Sequence, residues 1–215
     1  MIKSYKIFAV KSQLRQLATF ELAVTGIMAA AGVVKKIVTV TWLITVLDGA
    51  AALLAAAMFP VAAMVMLMGL YNANAPEQPS GYKYFHSLKN SADCFRDALI
   101  FANIFSLISI LIFFAVMWFF FDSRTVLYLM CFVFTAIGAT NFFGHSRSIY
   151  PKIIPYTIMG FSIGIYGAMF GEENDPTKSD MFLTVFGVAA AAVYIGGLIW
   201  TIARARSAWE RGNDK

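Results

Sequence analysis

Charged side chains are scarce in this sequence. Asp, Glu, Lys and Arg make up 13% of its 215 residues, where a soluble domain carries about 25%. Hydrophobic residues make up 60%, with a mean hydropathy of +0.70. That balance excludes a soluble domain of any size. Cysteine is scarcer still. Cys94 is expected in a loop and Cys131 in mid-span, so neither a disulfide framework nor a zinc site is indicated. No G-x-x-x-x-G-K-[ST] phosphate loop occurs, so the chain does not itself bind ATP in that way. The two histidines, His86 and His145, stand apart, and no His-rich or Cys-x-x-Cys cluster points to haem or metal. Intramembrane acids are nearly missing as well. Glu21 is the one candidate, and it reads more simply as an interfacial carboxylate paired with Arg15 or a neighbouring lysine. Proton- or sodium-coupled carriers bury ionisable groups or break helices at mid-membrane, so that class is disfavoured.

What the sequence has is apolar blocks. Residues 98–121, 125–143, 153–170 and 181–203 contain no charged side chain. A helix rising about 1.5 Å per residue needs roughly 20 such residues to cross the hydrocarbon. Strands of an outer-membrane barrel need only about 10, alternating in polarity. With no water to satisfy the backbone inside a bilayer, continuous apolar runs must be helical. The expected fold is therefore an all-α membrane protein with six transmembrane helices, at about 17–34, 49–71, 97–121, 125–144, 153–170 and 181–203. Residues 17–204 form one membrane domain, and 205–215 form a cytoplasmic tail. Residues 35–48 are too short to cross and too apolar for an ordinary loop, and are expected to dip along the outer face. Residues 1–16 interleave Lys3, Lys6, Lys11 and Arg15 with apolar residues. Basic residues continuing to Arg15 exclude a cleaved signal peptide and point to an amphipathic helix on the membrane surface.

Charge orients the spans. Of 17 Lys and Arg, thirteen fall on the side of the termini in a six-span arrangement; only Lys35, Lys36, Arg124 and Lys178 fall on the other. The positive-inside bias puts both termini in the cytoplasm, and the Lys35–Lys36 pair is the one feature against it. Pro60 and Pro155 fall inside spans and are candidate helix kinks, although Pro155 could instead help start its helix. Small residues mark candidate packing faces: Gly26 and Gly32 in the first span, Gly187 to Gly197 in the sixth, and Gly160 and Gly164 in the fifth. The fifth carries the better small-x-x-x-small face.

The most informative segment is the loop 72–96, NANAPEQPSGYKYFHSLKNSADCFR. Pro76, Pro79 and Gly81 break the preceding helix. An aromatic-rich stretch follows, and Asn90 or Ser91 can cap a helix whose acids Asp93 and Asp97 suit its dipole. That helix runs straight into the third span.

The order of a proline-containing span, a short polar linker, then Tyr82, Lys83, Tyr84, Ser87, Leu88 and Ser91, and a helix into the next span, resembles the permeases of type-2 ABC exporters. The likeness covers the whole plan, from a basic N-terminal elbow helix to a basic tail. It departs at Lys89, where the family usually has proline, and at Asp93, near where it often has a basic residue. The resemblance implies that Tyr82, Tyr84, Phe85, Ser87, Leu88 and Ser91 form a short cytoplasmic coupling helix docked on a separate ATPase subunit. His145, Arg147 and Lys152 would make a secondary cytoplasmic contact. The permease would dimerise with itself or a related subunit in the bacterial cytoplasmic membrane. The chain would hold no cofactor and perform no enzymatic step, with ATP and magnesium carried by the partner ATPase. The family exports bacteriocins, lipids, polysaccharides and amphipathic peptide toxins such as phenol-soluble modulins. Walls of Phe, Met and Ala suit an amphipathic or lipid-like cargo. Nucleic acid is not needed to explain the net charge of +5, which orientation and anionic headgroups account for. Two rival classes stand beside this reading. A membrane-embedded enzyme would need convergent polar groups, and Asn103, Thr140 and Asn141 come without an acid–His or metal set. A non-transporting scaffold or assembly protein would explain everything except the structured loop.

Overall fold

The computed structural model describes residues 2–37, 40–47, 50, 90–121, 123–144, 146, 150–151, 153–158, 160 and 180–211, with the backbone alone at 2–14, 208 and 211. Among these residues there are no strands, and four helices dominate: α1 (Ile2–Ile37), α2 (Ser91–Phe120), α3 (Ser123–Phe143) and α4 (Asp180–Arg211). Each contains a stretch long and apolar enough to cross a membrane, at Arg15–Ile37, Ser91–Phe120, Ser123–Phe143 and Asp180–Ser207. The chain is a multi-pass α-helical membrane protein. The expected spans at 49–71 and 153–170 lie wholly or largely outside the described residues.

Burial has the pattern of a bundle in lipid. On α2 the buried residues Leu99, Ala102, Ser106, Ile110, Phe113 and Met117 recur every three or four positions, while Phe101, Ile104, Ile108 and Leu111 on the other face are about half exposed. Both faces are apolar, so the outer one suits hydrocarbon rather than water. The buried face of α1 carries Leu17, Glu21, Val24 and Met28 at the same spacing.

Paired contacts give the helix directions. Glu21 meets Ser109, and Gly32 lies against Phe120, so α1 and α2 run parallel. Arg124 pairs with Asp180 at 2.9 Å and Gly138 packs on Gly197, so α3 and α4 also run parallel. Asn103 meets Tyr194 and Ser91 meets Trp209, which sets α2 antiparallel to that pair. The start of α1, the start of α2 and the end of α4 therefore lie at one end of the bundle. Ile37, Phe121 and Asp180 lie at the other.

Several boundaries differ from expectation. Residues 1–16 do not form a separate elbow: one helix runs from Ile2 to Ile37. No glycine or proline occurs between Ile2 and Thr25 to break it. The first membrane helix ends at Ile37 rather than 34, and residues 41–47 form a short helix with Trp42 and Val46 exposed. The last helix continues past 203 through the expected tail to Arg211. Arg206 and Glu210 pair there at 3.0 Å, one turn apart. Pro155 is buried within the helical stretch 153–158.

The small-residue contacts also fall differently. Among the described helices the most extensive interface joins α3 and α4, and its crossing point is Gly138 against Gly197. A Cβ on Gly138 would sit 2.6 Å from the carbonyl oxygen of Val193, and one on Gly197 would strike the Gly138 carbonyl. Gly26 and Gly160, expected on packing faces, would meet nothing within 4 Å. Gly164 lies outside the described residues.

Candidate functional site

Of the expected coupling residues, Tyr82, Tyr84, Phe85, Ser87 and Leu88 lie outside the described residues, as do His145, Arg147, Lys152 and Pro60. Ser91 is described, and it opens α2. Asn90 stands at the N-cap in the left-handed region, with φ 71°, and makes no side-chain cap bond. Ser91 is no cap either. Its hydroxyl oxygen accepts a hydrogen bond of 2.8 Å from Trp209 Nε1 near the end of α4. Trp209 stacks on Phe95 with ring centroids 4.9 Å apart. Ser91 is buried, and through this clasp the first residue of α2 is fastened to α4. Sequence reasoning missed Trp209, isolated in the basic run RARSAWER. A signal existed: Thr201, Ala205 and Trp209 repeat at four-residue spacing across the end of the apolar block, and all three are buried.

Deeper in the bundle, three helices meet through polar groups. Asn141 Nδ2 donates to Asn103 Oδ1 at 2.6 Å, and Asn103 Nδ2 donates to the Leu99 carbonyl at 2.9 Å. The Tyr194 hydroxyl reaches the Asn103 carbonyl at 3.4 Å. Thr201 donates to the Asn141 carbonyl at 3.1 Å; this is one of the last carbonyls of α3, which lack partners within the helix. Thr140 donates back to Ala136 at 2.9 Å. Every group in this cluster is neutral, and the arrangement aligns α2, α3 and α4 rather than supplying an acid, base or nucleophile. Among the described residues no group of three His, Cys, Asp or Glu could hold a metal.

Replacing Asn141 with leucine should orphan the Asn103 side chain and cost about 1 kcal/mol, the scale of interhelical bonds in lipid. Replacing both asparagines with leucine should cost less than the sum of the single changes, because no polar group is then stranded. A double-mutant cycle of unfolding in detergent reads this directly, and additive losses would contradict it.

A second polar spot lies between α1 and α2. Glu21 is 5% exposed and hydrogen-bonds Ser109. Among the described residues Glu21 makes no ion pair, in contrast to the expected pairing with Arg15 or a neighbouring lysine. Glu21 shares the seam of Leu17, Val24 and Met28, and Arg15 is exposed. At the far end of these helices, Lys36 Nζ lies 4.3 Å from the Phe119 ring centroid and Lys35 Nζ 5.3 Å from that of Phe121. These cation–π contacts give the pair of lysines a seat of their own on that side. No protein-family model, curated protein or solved structure matches the chain.

Proposed function

We propose that this chain is the permease subunit of an ATP-driven type-2 ABC exporter, forming the path for an amphipathic or hydrophobic cargo such as a peptide toxin. The observation that carries the reading is how the aromatic loop joins the bundle. The segment Tyr82–Lys83–Tyr84–Phe85 leads within six residues to Ser91, which is clasped by Trp209. Force applied to that loop would reach α2 directly and α4 through the Trp209 side chain. A partner that closes on ATP could thereby tilt two spans together.

The helix directions support the six-span plan. The end of α1 and the start of α2 lie at opposite ends of the bundle, as do the end of α3 and the start of α4. One return crossing in each connection, at 49–71 and 153–170, satisfies both and brings the two termini to one side. Arg96, Arg204 and Arg206 belong to that end, so the positive-inside bias makes it cytoplasmic in the bacterial inner membrane. Two copies of the chain would enclose the cargo path, each docked on an ATPase that holds ATP and magnesium. The chain itself performs no covalent step.

Purification from native membranes in mild detergent tests this reading. The expected complex contains two copies of this chain and an ATPase with a phosphate loop. A chain that purifies intact without any ATPase would instead favour the scaffold.

A further inference from the structure

We propose that Glu21, together with Ser106 and Ser109 of α2, forms an intramembrane proton-binding site between α1 and α2. The inference needs only the membrane location of the bundle and does not rest on the exporter reading.

Glu21 is one of seven buried polar side chains among the described residues, and the only ionisable one of them. It faces inward by its place on the α1 seam, not by chance rotation. One carboxyl contact is made, to Ser109. The Oε1 atom has no hydrogen-bond partner, and neither has the hydroxyl of Ser106, one turn from Ser109 on the same helix. These are the only two orphaned buried side-chain atoms among the described residues. They stand on the two helices that the Glu21–Ser109 bond joins.

Among the described residues no countercharge stands around them. Between Gln16 and Val34, α1 carries no charged residue except Glu21, and α2 carries none from Ala98 to Phe120. Arg15 is exposed and lies six residues away, about 9 Å along the axis. Lys35 sits over the Phe121 ring at the far end. Among the described elements, α2 is the one packed on α1. An isolated carboxylate in hydrocarbon is strongly penalised and is neutralised or paired when it occurs. A proton neutralises it without a cavity. It also supplies what the cluster lacks: the carboxyl O–H can donate to one serine oxygen, while a serine hydroxyl donates to the remaining carboxyl oxygen. Loss of that proton would place an unpaired charge on the α1–α2 seam and favour its opening to water. The site therefore links protonation to the separation of the first helix from the bundle.

Dicyclohexylcarbodiimide, which partitions into hydrocarbon and adds to protonated carboxyl groups, tests the site in the full-length protein in its membrane. At neutral pH, peptide mass mapping should find the adduct at Glu21, at a level unchanged by added sodium chloride. Glu21→Gln should lose it almost completely. If that variant fails to insert, the mapped position in the unaltered chain still decides. Absence of an adduct at Glu21 would overturn the proposal, and so would protection by sodium ions, which would make this a sodium site.

Discussion

Replacing Gly138 with leucine is expected to cost about 3 kcal/mol or more, lowering the ratio of folded to unfolded protein by a factor of roughly 150. Added volume in a well-packed interior typically costs about 1–3 kcal/mol and occasionally more, because neighbours leave their rotamers or the backbone shifts. Here only the backbone can yield. The atoms facing Gly138 are the carbonyl oxygen of Val193, 2.6 Å from where a Cβ would stand, and the amide nitrogen of Tyr194 at 2.8 Å. Relief would require α3 and α4 to separate along the largest interface among the described helices. The Asn141–Thr201 bond would go with it. In lipid there is no hydrophobic drive to close the gap elsewhere, since helix association depends on such close packing. Gly26→Leu is the matched control, because nothing lies within 4 Å of its Cβ position. It should change stability little. Unfolding in graded detergent mixtures would measure both, and equal losses for the two variants would contradict the packing account.

The second large effect concerns the aromatic loop. On the exporter reading, Tyr84→Ala with Phe85→Ala should weaken association with an ATPase partner by about thirtyfold or more, while the protein still inserts and folds. Aromatic anchors seated in a groove dominate protein interfaces, and truncating one typically costs about 2 kcal/mol or more. Tyr82, Tyr84, Phe85 and Leu88 crowd into seven residues of sequence beside Lys83, His86 and Ser87, and such a cluster facing water calls for a partner. The competing idea is that these rings rest among lipid headgroups, as interfacial aromatics do. The two ideas differ in outcome. Headgroup contacts would leave ATPase binding intact in the double variant, and binding measured by titration of the ATPase onto the permease in nanodiscs separates them.

The parts of the fold legible in the sequence are those set by composition alone. Charge-free blocks locate α2, α3 and α4 because hydrocarbon excludes ionised side chains wherever they point. The ends of the helices are less legible. Hydropathy marks where lipid stops, but a helix continues into water while its residues favour it. The turns carrying Arg204 and Arg206 do so, helped by the Arg206–Glu210 pair. Rotation is the least legible property. Glu21 reads as interfacial because Arg15 is near it in sequence, yet the seam of Leu17, Val24 and Met28 turns it inward. That seam is readable at spacings of four and three. The Gly138–Gly197 crossing is not, since it depends on two helices meeting across 59 positions of sequence, and Gly160, in the better local motif, has open space beside it. The Ser91–Trp209 bond joins residues 118 positions apart, a pairing that only the helix directions bring about. Among the proposed coupling residues, Ser91 alone is described, and its oxygen accepts the bond from Trp209.

The most direct test of the central claim is a photo-crosslinking amino acid at position 84, in place of Tyr84, activated in intact cells. The exporter account predicts a crosslinked product joining this chain to a protein that carries a G-x-x-x-x-G-K-[ST] phosphate loop, formed from the cytoplasmic side. Crosslinking only to lipid, or to proteins without a nucleotide-binding motif, would contradict it.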